Sequence, residues 1–327
     1  MKQIRIVFMG TSQFAVPILD ALAATPHDVA LVVSQPDRPA GRGRRTMPPP
    51  IKEAARRAGV PLVQPESVGE PDALAALKEA APDLIVVAAY GQKLPKAVLD
   101  LPPKSCLNVH ASLLPLYRGA APVAHAIREG REETGVTIQV MNEKIDAGKI
   151  LASRATPIGP DETCGELTLR LAKLGAEMLV ETLPDWLSGK ASATEQDHKK
   201  ATLASKLTKE SGAIDWTLPP ERLRNFVRAM TPWPGAFAFL SRAGQTPDRV
   251  SILRVETADA ADGGDIPGTI VWADRKTVKV ACGGKGTVQV TRIKQASGRD
   301  MAIAEYLKGH PVLRGDLFVP APQTPSP

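Results

Sequence analysis

Cysteine is scarce in this chain of 327 residues: only Cys106, Cys164 and Cys282 occur, far apart and odd in number. A disulfide framework is therefore not expected, and a reducing cytoplasm fits. Each thiol reads as a small core residue. No run approaches the roughly 20 consecutive apolar residues that a membrane-spanning helix needs. Residues 1–10 show neither a charged leader nor a small-residue cleavage site, so no secretory signal is expected. The segment from Gly10 to Ala15 lacks the second and third glycines of a dinucleotide fingerprint. No phosphate-binding loop of the Walker type and no Gly-x-Ser-x-Gly elbow occurs. His27, His110, His125, His198 and His310 have no metal-ligand spacing with cysteines or acids, and no metal is expected.

What is present suits a soluble globular chain long enough for two domains. Hydrophobic residues make up 43% and charged residues 23%, enough apolar material for sizeable cores. The net charge of +6 is unevenly spread. From Lys206 onward there are 17 basic and 12 acidic residues, against 24 and 23 before it. A basic module joined to a near-neutral one points to a polyanionic partner such as nucleic acid. The alternative is a surface kept soluble by lysine and arginine.

The first half alternates short apolar runs with amphipathic helical patterns. Runs at 4–9, 29–33, 84–89 and 106–110 read as buried strands, with helices at 51–58 and 72–80 between them. This α/β pattern implies right-handed crossovers and a mostly parallel sheet with helices on both faces. Segments 135–141 and 150–158 read as an antiparallel hairpin extending that sheet, and 164–187 as a long closing helix. After it the chain turns polar and loses its period, which suits a linker. Strand-like pieces at 250–255, 268–272, 277–281 and 287–293 then alternate with glycine-rich turns, as in a small β-barrel. The expected division is a catalytic domain over 1–188, a linker over 189–208 and a C-terminal barrel domain over 209–327.

Two loops stand out. Residues 35–49 have no apolar period and carry Arg38, Arg42, Arg44 and Arg45. A loop this long inside a compact domain is uncommon, and arginines on a glycine-rich segment suit phosphate contact. Glycine and like charge predict that it is mobile when free. The second loop, residues 111–121, follows Asn108 and His110, which lie at the carboxyl end of a strand, where open α/β sheets bind ligands. Their spacing of two puts both side chains on one face. Asn108 can donate to an oxyanion, and His110 can donate or shuttle a proton. The proline-punctuated loop after them could wall a pocket for a flat ligand. Asp146 sits in a turn between two strands, where aspartate before a small residue and glycine is also ordinary turn chemistry.

These residues resemble one family. Asn108, Val109 and His110, the run Ser112, Leu113, Leu114, Pro115, the run 118–122 (Arg-Gly-Ala-Ala-Pro) and the run 143–148 (Glu-Lys-Ile-Asp-Ala-Gly) are similar to the formyltetrahydrofolate-dependent formyltransferases. Residues 35–43, 88–91, 214–216 and 232–235 look like the branch of that family that acts on initiator methionyl-tRNA. The similarity spans nearly the whole chain. One departure is Ala111, where this branch often has glycine; its methyl group should narrow the pocket slightly.

The resemblance implies a Rossmann-like sheet without a dinucleotide, followed by an OB-like barrel that helps to hold tRNA. It implies Asn108, His110 and Asp146 as the catalytic trio, and Ser112, Leu113, Leu114 and Pro115 as folate contacts. Arg38, Arg42, Arg44 and Arg45 would meet the acceptor end of the tRNA, with Arg42 central. The formyl donor would be 10-formyltetrahydrofolate. In the implied reaction the neutral α-amine of methionine attacks the formyl carbon. Asn108 and protonated His110 steady the oxyanion, and Asp146 pairs with His110 or accepts a proton from the amine. Competing expectations are a formyltransferase acting on a small amine (a ribonucleotide or an amino sugar) and an RNA-binding protein with an inactive transferase site. A monomer is expected, because no apolar stripe stands out.

Overall fold

A computed structural model describes residues 3–40, 45–259, 265–295 and 298–319. The chain folds into two units. The first comprises 1–122, 133–157 and 166–205; the second comprises 123–132, 158–165 and 206–327.

The elements of the first stretch are β1 (Arg5–Gly10), α1 (Ala15–Ala23), β2 (Asp28–Val33), β3 (Arg38–Ala40), β4 (Arg45–Met47), α2 (Pro50–Ala58) and β5 (Leu62–Val63). They are followed by α3 (Pro71–Ala80), β6 (Leu84–Ala88), α4 (Lys96–Leu99), β7 (Cys106–His110) and β8 (Arg118–Gly119). Then come α5 (Pro122–Arg128), β9 (Glu133–Val140), β10 (Lys149–Pro157), α6 (Cys164–Leu187) and β11 (Leu203–Ala204).

The main sheet of the first unit has the order β10-β9-β7-β6-β1-β2-β5. β1 pairs in parallel with β2 and β6, and β7 with β6. The expected hairpin of β9 and β10 adds to the β7 edge in antiparallel fashion. Every residue of β6 and β7 is buried, as it must be when helices cover both faces of a parallel sheet. This is why β6 reads as an unbroken apolar run, while β7 is apolar except at Asn108 and His110. Val7, Met9, Leu31, Val33, Leu77, Val87, Tyr90 and Cys106 form one core layer. On α6, a Cβ added at Gly175 would lie 2.7 Å from Cγ1 of Val109, so this helix rests directly on β7.

The arginine loop differs from its expected structureless form. β3 and β4 pair as a short antiparallel ladder, Arg38 opposite Met47 and Ala40 opposite Arg45. Backbone hydrogen bonding there needs no apolar period, which is why the pattern hid it. Arg42, Arg44 and the expected mobility around them lie outside the described residues, and the Arg45 side chain is likewise not described. The polar connecting segment is fastened along its length. Thr194 exchanges backbone hydrogen bonds with Ile150, Gln196 is buried, and β11 pairs with β8.

The second unit contains α7 (Pro220–Ala229), β12 (Phe237–Ser241), β13 (Asp248–Ala258), β14 (Ile270–Ala273), β15 (Val278–Cys282), β16 (Gly286–Gln295), β17 (Met301–Ala302), α8 (Ile303–Gly309) and β18 (Leu317–Val319). Its antiparallel sheet runs β14-β15-β16-β13-β12-β18. A bridge between Thr269 and Leu317 brings the two ends together, so the sheet curls into a nearly closed barrel. Closure removes the exposed edges that would invite aggregation. Val250, Ile252, Val280, Val288 and Val290 fill the interior, and Trp216 stacks on Phe318 with ring centres 5.1 Å apart.

Candidate active site

The sheet puts the candidate groups together through register. Asn108 on β7 lies opposite Gln139 on β9, and His110 lies opposite Thr137. Side chains alternate along a strand. The polar set Asn108, His110, Thr137 and Gln139 therefore shares one face, while Val109, Val136 and Ile138 serve the other. All four polar residues are buried. Buried polar groups cost free energy unless they are hydrogen-bonded, and here they are.

Asp146 arrives from the turn after β9. Asn108 Nδ2 donates to its Oδ1 at 3.2 Å, and Gln139 Nε2 donates to the same oxygen at 2.9 Å. The backbone N–H of Gly119 donates to Oδ2 at 2.8 Å. His110 Nδ1 lies 3.7 Å from Oδ2, an ion pair when the ring is protonated. The other ring nitrogen, Nε2, lies 3.0 Å from the carbonyl oxygen of Tyr117. When protonated, His110 thus faces an acceptor on each side. The structure brings Asn108, His110 and Asp146 into one cluster.

The turn that carries Asp146 is held tightly. Asp146 adopts φ of 47°, in the left-handed region, which aspartate tolerates better than most residues but still at some cost. Gly148 allows the closest approach, since a Cβ there would fall 1.8 Å from the carbonyl oxygen of Val140. Gln139 Oε1 accepts from Gly148 N at 3.1 Å, so one side chain grips both ends of the Asp146–Gly148 segment.

Loop 111–119 is braced from within. Ser112 is fully buried, and its hydroxyl donates to Leu116 O at 2.6 Å. The Thr137 hydroxyl donates to Ser112 O at 2.7 Å and accepts from Leu114 N at 3.1 Å. The Leu114–Pro115 peptide is cis. Of the four expected folate contacts, Leu113 and Pro115 are partly exposed, whereas Ser112 and Leu114 are buried. Arg38 is on the surface, paired with Glu66 at 2.6 Å. Beside the Asp146 turn lies an open cavity of about 290 Å³, lined by Asn142, Glu143, Lys144, Ala147, Glu195 and His198.

Four participants were not singled out from the sequence: Tyr117, Gly119, Gln139 and Gln196. The first two lend backbone groups, which carry no sequence signal. Gln139 had one: with Thr137 it is a polar residue alternating with valine and isoleucine on a strand buried throughout residues 134–139. Among the described residues no group of three or more His, Cys, Asp or Glu side chains could hold a metal ion, and no helix is long and apolar enough to cross a membrane.

Comparison with known proteins gives the family of the chain. Residues 3–183 match the family model described as formyl transferase, and residues 206–311 match the formyl transferase C-terminal domain. A methionyl-tRNA formyltransferase from Geotalea uraniireducens is 43% identical over 97% of this chain and 99% of its own length. One from Halorhodospira halophila is 47% identical over 95% and 98%. Among solved structures, the N-formyltransferase of Helicobacter canadensis, in complex with folinic acid and dTDP-3-aminofucose, superposes with a TM-score of 0.60 at 14% identity, covering 88% of this chain and 99% of that one. HypX from Aquifex aeolicus, in complex with tetrahydrofolic acid, gives 0.60 at 19% identity over 97% of this chain, which spans about half (51%) of that longer protein. At such identities the two structures speak for the fold alone. The two family matches and the full-length relatives decide the matter, and the chain belongs to the formyl transferase family.

Proposed function

We propose that this protein moves a formyl group from 10-formyltetrahydrofolate to the α-amino group of methionine on initiator methionyl-tRNA, the step that prepares the initiator for protein synthesis. The observation that carries this reading is the full-length identity of 43–47% to methionyl-tRNA formyltransferases, which extends through both units. A small-amine acceptor would leave the match over the basic second unit unexplained. We place the enzyme in the cytoplasm and read it as a monomer, because no apolar stripe stands out in the sequence. Its catalytic domain spans 1–188 and its tRNA-binding barrel 209–327, joined through 189–208.

The chemistry follows from the cluster around Asp146. The neutral amine attacks the formyl carbon and forms the new C–N bond, and negative charge moves to the formyl oxygen. Asn108 Nδ2 bears two hydrogens and gives one to Asp146. The second serves the oxyanion. His110 is anchored by Nε2 on the Tyr117 carbonyl. Its Nδ1 is too far from Asp146 for a hydrogen bond and supplies the other donor. Asp146, fixed by three N–H donors, accepts the proton that the amine loses, directly or through water. The tetrahedral intermediate collapses as folate N10 takes a proton and leaves. All of these charges are met by groups already in place, so little reorganisation is needed in the transition state.

Ser112, Leu113, Leu114 and Pro115 form the wall for the folate. Leu113 and Pro115 present apolar surface, while Ser112 and Leu114 hold the loop in shape. Arg38, Arg42, Arg44 and Arg45 meet phosphates of the acceptor stem, where guanidinium groups bind well. Removing one oxyanion donor from an acyl-transfer site costs about 10²–10³ in kcat. Asn108→Ala and His110→Ala should each lose on that order in kcat/KM for formyl transfer. Losses below tenfold in both would refute the assigned roles.

A further inference from the structure

Gln196 lies outside the motifs that mark the family, in the polar segment that follows α6. It is nonetheless among the few buried polar residues, 5% exposed. All of its hydrogen-bonding capacity points at the Asp146 turn and the loop beside it. Nε2 donates to the backbone carbonyls of Asp146 at 2.9 Å and Gly148 at 2.7 Å. Oε1 accepts from Arg118 Nε at 3.1 Å and Nη2 at 2.6 Å. A single primary amide thus ties two segments together. One carries Asp146; the other carries Tyr117, whose carbonyl holds His110, and Gly119, whose N–H holds Asp146.

We propose that Gln196 is a positioning residue for the formyl transfer, setting Asp146 against His110 by clamping the backbone at 146 and 148 and docking Arg118. The idea rests on the transfer reaction proposed above and deepens it.

The physical need for such a clamp is local. A non-glycine residue at positive φ persists only when its surroundings over-determine it. Asp146 is such a residue. Gln139 fixes its carboxylate and the N–H of Gly148 from the β9 side. Asn142 Nδ2 takes the carbonyl of Ala147 at 3.1 Å, and Gln196 takes those of Asp146 and Gly148. The two glutamines therefore bracket the turn, Gln139 by one carboxylate oxygen and one N–H, Gln196 by two carbonyls. The bond from Arg118 is charge-assisted and two-pronged, the strong form of such contacts. It also keeps the carboxamide from flipping, because the guanidinium requires an oxygen where Oε1 sits. Small displacements suffice to harm a reaction that depends on placed groups: a misplacement of about 1 Å can cost roughly 100-fold in rate.

The test uses two near-isosteric replacements in the full-length protein. Gln196→Glu keeps an oxygen for Arg118 but sets a carboxylate against two carbonyl oxygens. Gln196→Leu removes every polar contact. Formyl transfer to methionyl-tRNA is followed by steady-state and enzyme-excess single-turnover kinetics, with tetrahydrofolate affinity and thermal midpoint measured alongside. The expected result is a fall in kcat of tenfold or more in both variants, with KM for each substrate and tetrahydrofolate affinity within about threefold of the parent. The same replacements in an Asp146→Asn background should cost less than threefold, because the clamp then has little left to position. A kcat within threefold of the parent in either variant, a loss confined to KM, or an undiminished loss on top of Asp146→Asn would overturn the proposal. The parent enzyme in the same assay reports separately on the transfer reaction, so a failure of that reading is visible apart from this one.

Discussion

Gln139 and Asp146 meet across the mouth of the β9–β10 hairpin: Gln139 Nε2 donates to Asp146 Oδ1 at 2.9 Å while its Oε1 accepts from Gly148 N at 3.1 Å. The same carboxylate oxygen takes a bond from Asn108 at 3.2 Å. Gln139 thus stands between the strand that presents Asn108 and the turn that presents Asp146. Loss of a hydrogen bond to a charged group costs about 1.5–3 kcal/mol. Gln139→Met, similar in length but without a donor, should lower kcat about 10- to 100-fold. Steady-state formyl transfer checks it. An unchanged kcat would show that Asp146 is placed without Gln139.

Helix α6 touches the catalytic strand at Gly175. An added Cβ would sit 2.7 Å from Val109 Cγ1 and 3.3 Å from Val136 Cγ1. Two effects oppose each other in Gly175→Ala. Helix propensity favours alanine by about 1 kcal/mol, whereas overpacking a tight core costs about 1–3 kcal/mol. Valine on a buried strand has little room to turn aside, so overpacking should win. A net loss of about 1 kcal/mol in urea unfolding is expected. Because Val109 lies between Asn108 and His110, kcat should fall as well. A more stable and fully active variant would contradict this contact.

Burial pushes the Cys106 thiol up to about 12 and the Cys282 thiol to about 11. The thiolate is the reactive form, so at pH 8 both are protonated as well as shielded. Neither should react with a disulfide reagent in the native state, and both should react after unfolding in guanidinium. Peptide mapping of the modified protein checks it. Rapid native labelling of Cys106 would mean that the sheet opens far more readily than its packing implies.

Much of the first unit is legible in the sequence, and the reason is physical. β6 is buried on both faces and so appears as an apolar run, and β7 does so apart from Asn108 and His110. Helix α6 keeps its amphipathic period for six turns and its ends coincide with the pattern. The barrel is legible in four consecutive strands, β13 to β16, while β12 and β18 are not. These two are short, five and three residues, and pair with each other across a sequence gap of some 75 residues, so only the closed sheet makes them strands. The site divides the same way. Asn108 and His110 stand out by spacing and by their family motif. Gln139 and Gln196 do not, because their part depends on where tertiary structure aims an amide. Backbone donors such as Gly119 N leave no trace in residue identity at all.

The most direct test is the acceptor. Purified enzyme is given 10-formyltetrahydrofolate with a labelled formyl group, together with methionyl-initiator tRNA, uncharged tRNA or free methionine. Label on methionyl-tRNA, with none on uncharged tRNA and little on free methionine, is the expected result. Bound folate with no label on methionyl-tRNA, or transfer to free methionine that tRNA does not improve, would contradict the proposed function and send the search to small amine acceptors.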